Sequence, residues 1–198
     1  MKSKPDLYGL ILSGGKSRRM GRDKALLKHN NGQTQLSYIA DLMSECTKKM
    51  FVSINSEQIE DNERSQFNQI IDNYKNIGPI AGILTALEKH PNVDWLIVAC
   101  DLPNINQITI KNLIDNQDDK QSFTAYKSNH GSLPEPLCAI YHVGSVHLIK
   151  KFVSKNVNCP RKILIRSKTK LIEQLEPNAL DNINTPESLK ESILSFSN

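Results

Sequence analysis

Three stretches of the chain carry residue types that could do chemistry. The first is Leu12-Ser13-Gly14-Gly15-Lys16-Ser17-Arg18-Arg19-Met20-Gly21-Arg22-Asp23-Lys24. Its glycines let the backbone turn tightly and bring N–H groups toward a phosphate, while its Lys and Arg side chains neutralise the charge. On composition alone a flexible basic loop is an equal reading. The second is Asp101, directly after the apolar run 95–100. A carboxylate there can hold Mg²⁺ against phosphate oxygens, because Mg²⁺ takes oxygen ligands and uses one or two carboxylates plus water. Standing alone, Asp101 is better read as a turn former ahead of Pro103. The third is Asn182-Ile183-Asn184-Thr185-Pro186. Its asparagines could complete a metal or phosphate shell, and Thr185-Pro186 also reads as an N-cap followed by the first helical residue.

Other chemistries are excluded by spacing. A phosphate-binding Walker loop needs four residues between its glycines and then Gly-Lys-Ser/Thr. Here five residues separate Gly15 from Gly21, and Arg22-Asp23-Lys24 follows. Gly14 and Gly15 are adjacent, so the dinucleotide fingerprint is absent as well. Cys46, Cys100, Cys138 and Cys159 form no C-x-x-C pair and no zinc pattern with histidine. Three of the four lie beside apolar residues and read as buried free thiols. His29, His90, His130, His142 and His147 form no cluster and read as surface or core residues.

The elements that must position these residues follow from periodicity. Residues 7–12 form a short apolar run that ends at Gly14-Gly15, the pattern of a buried parallel strand entering a loop. A helix is predicted over 35–47, strands over 50–54 and 70–71, and a helix over 79–90. The continuous apolar run 95–100 suits the centre of a sheet covered on both faces. A helix over 107–116, strands over 123–126 and 137–141, and helices over 143–153 and 186–196 complete the chain. Strands alternating with helices indicate an α/β fold with a doubly wound, mostly parallel central sheet and helices on both faces. The polar stretches 30–34 and 57–69 are the segments expected to move most.

At 198 residues, with no repeat and no composition shift, residues 1–198 are expected to form a single domain. The formal net charge of +4 is too small and too evenly spread for a nucleic-acid protein, and residues 16–24 lack interleaved aromatics. No apolar stretch suits a membrane span or a signal peptide, so no membrane partner is expected and a reducing cytoplasm is the expected location.

In series, the motifs resemble those of the molybdenum cofactor guanylyltransferases. Leu12-Ser13-Gly14-Gly15, then Ser17-x-Arg19-Met20-Gly21-x-Asp23-Lys24-x-Leu26-Leu27, is similar to that family's nucleotide signature. Gly78-Pro79-x-x-Gly82, Cys100-Asp101-x-Pro103 and Asn182-x-Asn184-Thr185-Pro186 follow in the family's order. The resemblance spans residues 7 to 190 and implies a Rossmann-like nucleotidyltransferase fold. It implies transfer of GMP from GTP to the terminal phosphate of molybdopterin, with release of pyrophosphate and Mg²⁺ as cofactor. Molybdoenzyme-maturation proteins are implied as further partners. By the same resemblance Leu12, Ser13, Gly14 and Gly15 contact the nucleotide, Lys24 its phosphates, and Asn55 and Asp72 the guanosine. Asp101 binds Mg²⁺, and Lys24 and Asp101 are the catalytic pair. Arg19, Asn182, Asn184 and Arg161 are implied as contacts to phosphate or pterin. Ser13 stands where the family usually has Ala, a small change expected to have no consequence.

The resemblance leaves neighbours of the same fold open: a cytidylyltransferase for the same pterin, or a sugar- or polyol-phosphate nucleotidyltransferase. Gly14-Gly15 and Cys100-Asp101 favour guanine, since the cytidine enzymes usually carry Ala-Ala-Gly and Gly-Asp. A non-catalytic carrier of GTP or pterin is the alternative from another class, and the presence of both Lys24 and Asp101 counts against it.

Overall fold

A computed structural model describes residues 4–15, 23–129 and 131–182. The elements are β1 (Leu7–Leu12), α1 (Gln35–Ser44), β2 (Lys49–Ile54), β3 (Gln69–Ile71), α2 (Ile80–Lys89), β4 (Asp94–Ala99), α3 (Gln107–Asp115), β5 (Phe123–Lys127), β6 (Pro134–Tyr141), α4 (Ser145–Val153), α5 (Pro160–Ile165) and β7 (Thr169–Ile172). The seven strands make one sheet in the order β3-β2-β1-β4-β6-β5-β7. β1, β2, β3 and β4 run parallel, and β6 is antiparallel to both β4 and β5.

Alternation along the strands builds a core on each face of the sheet. Ile11, Leu96 and Val98 point toward Leu36, Ile39 and Met43 of α1 and Ile110 and Leu113 of α3. Leu10, Trp95 and Ile97 point the other way, onto α2, α4 and α5 through Ile83, Leu84, Ile149 and Ile163. All six residues of β4 are buried, as expected of a strand covered on both faces. Each aliphatic side chain buried in this way contributes about 1.5–3 kcal/mol. Helix α1 starts where Thr34 Oγ1 accepts the Ser37 N–H at 3.1 Å, satisfying one of the orphan donors of its first turn.

The doubly wound, mostly parallel architecture matches the sequence reading, with two differences. Helix α5 and strand β7 have no counterpart in the pattern, because six and four residues are too few to show a period. Strand β6 begins at Pro134, three residues before its apolar run. A register shift opposite Ala125 and Tyr126 accommodates the end of the strand that holds Pro134 and Pro136. The expected final helix over 186–196 lies outside the described residues.

Candidate active site

The carboxyl ends of β1, β2, β3 and β4 open into one cleft of about 740 Å³. Leu12 to Gly15 enter it from β1, Asn55 from β2, Asp72 from β3 and Asp101 from β4. Strand order reverses between β1 and β4, because β1 is flanked by β2 on one side and β4 on the other. Ligands of open α/β sheets bind at such a switch point, outside the carboxyl ends of the strands. The glycine segment and Asp101 stand on its two sides.

The β2–β3 side of the cleft is fixed by short polar contacts. Asn55 Nδ2 donates to the Gly14 carbonyl at 3.0 Å, tying the turn after β1 to the end of β2. Ser53 Oγ donates to Asp72 Oδ1 at 2.7 Å. Burial raises the pKa of Asp72, and the Ser53 hydrogen bond opposes that rise. Gly82 in α2 is what lets this pair form, since a Cβ there would overlap the Ser53 hydroxyl and lie 3.1 Å from Asp72 Oδ1. Gly78, at φ +69°, takes the left-handed conformation just ahead of α2.

Across the cleft, Lys24 Nζ lies 3.7 Å from Asp101 Oδ2. Lys24 sits on a 3₁₀ turn, Lys24–Leu26, whose N-cap is Asp23: Asp23 Oδ1 accepts the Ala25 N–H at 3.0 Å. Asp101 is largely buried and its pKa is raised by that burial, with the Lys24 ammonium opposing. Its Oδ1 atom is buried with no hydrogen-bond partner among the described residues. A desolvated carboxylate with one unpartnered oxygen, at the wall of a cleft of this size, fits a hard divalent cation. No group of three or more His, Cys, Asp or Glu side chains assembles among the described residues. A cation on Asp101 would therefore complete its shell with phosphate oxygens and water.

A second, smaller cavity of about 360 Å³ shares Pro79 and Leu137 with the cleft. It is bounded by Pro136 and Cys138 of β6, Pro160 and Arg161 of α5, and Leu180 and Asn182. Arg161 is partnered there: its Nη2 lies 2.8 Å from Glu135 Oε2, and its Nε donates to the Pro134 carbonyl at 3.1 Å. Burial pushes the Cys138 thiol up to about 12, with Glu135 adding to the effect, so the thiol stays protonated and inert. Of the residues expected near phosphate or pterin, Arg19 and Asn184 lie outside the described residues.

The model of the MobA-like NTP transferase domain matches residues 9–170. The chain belongs to the MobA-like NTP transferase family. It is 38% identical over 185 residues to the molybdenum cofactor biosynthesis bifunctional protein of Synechocystis sp.. That match covers 93% of this chain, which spans about half (53%) of the relative's length. It is 30% identical to a Bacillus cereus protein named as a probable molybdenum cofactor guanylyltransferase, over 96% of this chain and 97% of the relative. In three dimensions it matches molybdopterin-guanine dinucleotide biosynthesis protein A of Archaeoglobus fulgidus with a TM-score of 0.75. The match covers 93% and 95% of the two chains at 22% identity, which shows a shared fold.

In this MobA-like transferase, one residue behind the cleft wall, in contact with the lining residues Ser13 and Asp23, has no mark in the sequence pattern. Arg64 comes from the polar connection 57–69, expected to be among the most mobile segments, and its side chain is fully buried. Its Nε donates to Ser13 Oγ at 3.1 Å and its Nη2 to the Ser13 carbonyl at 3.1 Å. The same Nη2 lies 2.6 Å from Asp23 Oδ2, and Nη1 lies 3.2 Å from Asp61 Oδ2. The hydroxyl of Ser13 is thus engaged on both sides, since it also donates to the Ser53 carbonyl at 3.0 Å. The serine at position 13 supplies a buried hydroxyl that bridges Arg64 and β2. No local pattern marks an arginine in a polar loop as buried; only the acidic residues Asp23 and Asp61 hint at a partner.

Four cysteines are free, with Cys100 and Cys138 buried, Cys46 half-buried and Cys159 exposed. Among the described residues no helix is long and apolar enough to cross a membrane.

Proposed function

We propose that this chain transfers GMP from GTP to the terminal phosphate of molybdopterin, releasing pyrophosphate. The observation that carries this reading is the pairing of Lys24 with Asp101 Oδ2, while Asp101 Oδ1 has no partner among the described residues, in a cleft at the strand-order switch. The relatives' names agree with it.

The backbone turn Leu12–Gly15 is suited to meet the nucleotide with its N–H groups. Asn55 and Asp72 are suited to the guanosine, where a carboxylate can accept hydrogen bonds from base or sugar donors. Asp101 is the residue suited to a divalent cation, Mg²⁺ on this reading, which when bound offsets charge on the α-phosphate and on the departing pyrophosphate. Lys24 places a positive point charge beside the same oxygens. The acceptor phosphate attacks the α-phosphorus in line, forming one P–O bond as the bond to the β-phosphate oxygen breaks. A phosphate monoester is already anionic at neutral pH, so the step needs no general base. The protein contributes position and charge. This accounts for a cleft whose charged side chains are carboxylates and lysines, with no histidine among its described residues.

The second cavity is suited to the pterin, with Asn182 and Arg161 at its wall and Arg19 and Asn184 as further phosphate contacts. Delivery of the product to molybdoenzyme-maturation proteins follows from the same reading, in a reducing cytoplasm that keeps the four thiols free.

Incubation with each of the four NTPs, Mg²⁺ and molybdopterin, followed by product identification, tests the proposal. GTP is expected to be used at least ~10-fold better than CTP, a difference of about 1.4 kcal/mol. A preference for CTP would make the chain a cytidylyltransferase, and nucleotide binding without pyrophosphate release would make it a carrier.

A further inference from the structure

We infer that Arg64 and Asp23 act as a positioning pair that sets where the Lys24 ammonium stands against Asp101. The inference rests on the nucleotidyl-transfer reading of this cleft and adds two residues to it. Asp23 divides its carboxylate between two tasks. Oδ1 caps the 3₁₀ turn that carries Lys24 by accepting the Ala25 N–H at 3.0 Å, and Oδ2 takes the Arg64 guanidinium at 2.6 Å. The guanidinium reaches across to the end of β1 through Ser13 Oγ and the Ser13 carbonyl, both at 3.1 Å. One fully buried side chain therefore ties the exit of β1 to the turn bearing Lys24.

The guanidinium is itself held in place. Asp61 Oδ2 is 3.2 Å from Nη1, and Asp61 Oδ1 accepts the Arg64 backbone N–H at 2.9 Å. Planar guanidinium geometry fixes the directions of all these contacts at once, which a lysine ammonium cannot do. The desolvation of a buried ion pair can offset its attraction, so a net stabilising role does not by itself explain this one. What it does here is orient the turn of Lys24.

A mutant cycle separates positioning from mere stability. Asp23→Asn keeps an oxygen for the Ala25 cap and removes the charge that Arg64 holds. Arg64→Lys keeps a cation and removes the fork. Each is expected to lower kcat about ten- to hundredfold, the range for losing a charge-assisted hydrogen bond, while the KM for GTP moves less than about threefold. In a Lys24→Ala background the same substitutions should cost less than about twofold, because the group they position is gone. Calorimetric titration with GTP and circular dichroism on every variant give binding and folding independently of turnover. Equal fold losses with and without Lys24, or an Asp23→Asn variant with parental kcat, would overturn the inference and leave guanylyl transfer intact. Coupling that persists while another NTP proves to be the substrate would do the reverse. Should Arg64→Lys fail to fold, Asp23→Asn alone carries the cycle.

Discussion

The two cavities are built from different halves of one sheet, and they differ in how their polar groups are satisfied. The larger cleft gathers the carboxyl ends of four parallel strands, so it is lined by backbone turns and by the residues that follow each strand. The smaller one borders β6, which runs the other way, so it is lined by side chains within and beside that strand and by α5. In the cleft Asp101 Oδ1 has no protein partner among the described residues. In the second cavity Arg161 is already joined to Glu135. Asn158 Oδ1 at the second cavity also lacks a partner among the described residues, so the difference lies in charge: the cleft offers a carboxylate oxygen for what binds to complete, and the second cavity a guanidinium that is already paired. That contrast ranks the effects of substitution.

Asp101→Asn should produce the largest loss, about a thousandfold or more in turnover, because it removes the carboxylate suited to the cation at the centre of developing charge. The fold should survive it. Burial holds the pKa of Asp101 above its ordinary value, so the unfolded chain ionises first as pH rises past ~4. The folded state then binds more protons than the unfolded one, and the ionised carboxylate costs stability at neutral pH. In metal-free buffer the Asn variant should resist denaturant better than the parent at pH ~7, and the gap should close below pH ~3, where the carboxyl is protonated in both states. A variant that is less stable at neutral pH, or that keeps near-parental turnover with Mg²⁺, would mean that Asp101 is a turn former and not a site residue.

Lys24→Ala ranks second. Its ammonium is suited to charge that grows on the leaving pyrophosphate, so kcat should fall more than KM for GTP rises, by roughly 2–4 kcal/mol in transition-state stabilisation. Steady-state kinetics with circular dichroism as the folding control reads this out. A kcat within about twofold of the parent would transfer the role to Arg19 or Arg22.

The same contrast explains which parts of the molecule are legible in its sequence. Strand β4 announces itself because Trp95 to Cys100, all buried, leave an unbroken apolar run, and Asp101 stands out by ending it. Leu12–Gly15 is marked by motif, Asn55 and Asp72 by the family resemblance, and all lie at the ends of parallel strands that open into one cleft. Gly82 belongs to a motif as well, but its reason, room for the Ser53 hydroxyl, is a tertiary contact. Arg64 is not legible. Its partners, Ser13 and Asp23, lie 51 and 41 residues away, and a polar loop has no period to show that one of its side chains points inward. Helix α5 and strand β7 are too short to leave a pattern, and with α5 goes one wall of the second cavity, Pro160 and Arg161.

Arg161→Ala should give the smallest effect and the one that most sharpens the distinction between the cavities. The Arg161 side chain is 41% exposed, so its pair with Glu135 is screened by solvent and its removal should leave stability little changed. Its backbone-anchored Nε holds the fork at the rim of the second cavity, where it can be shared with an incoming phosphate. The KM for molybdopterin should then rise about three- to tenfold, in line with one partly solvated charge-assisted contact, while kcat and the KM for GTP stay within about twofold. Glu135→Gln should move the other way and lower the KM for molybdopterin, because it frees the guanidinium without altering the cavity's shape. Titration of both variants with GTP alone supplies the control. If Arg161→Ala weakens GTP as much as it weakens molybdopterin, the two cavities form one nucleotide site, and the division of labour between the ends of the parallel strands and the β6 side of the sheet is wrong.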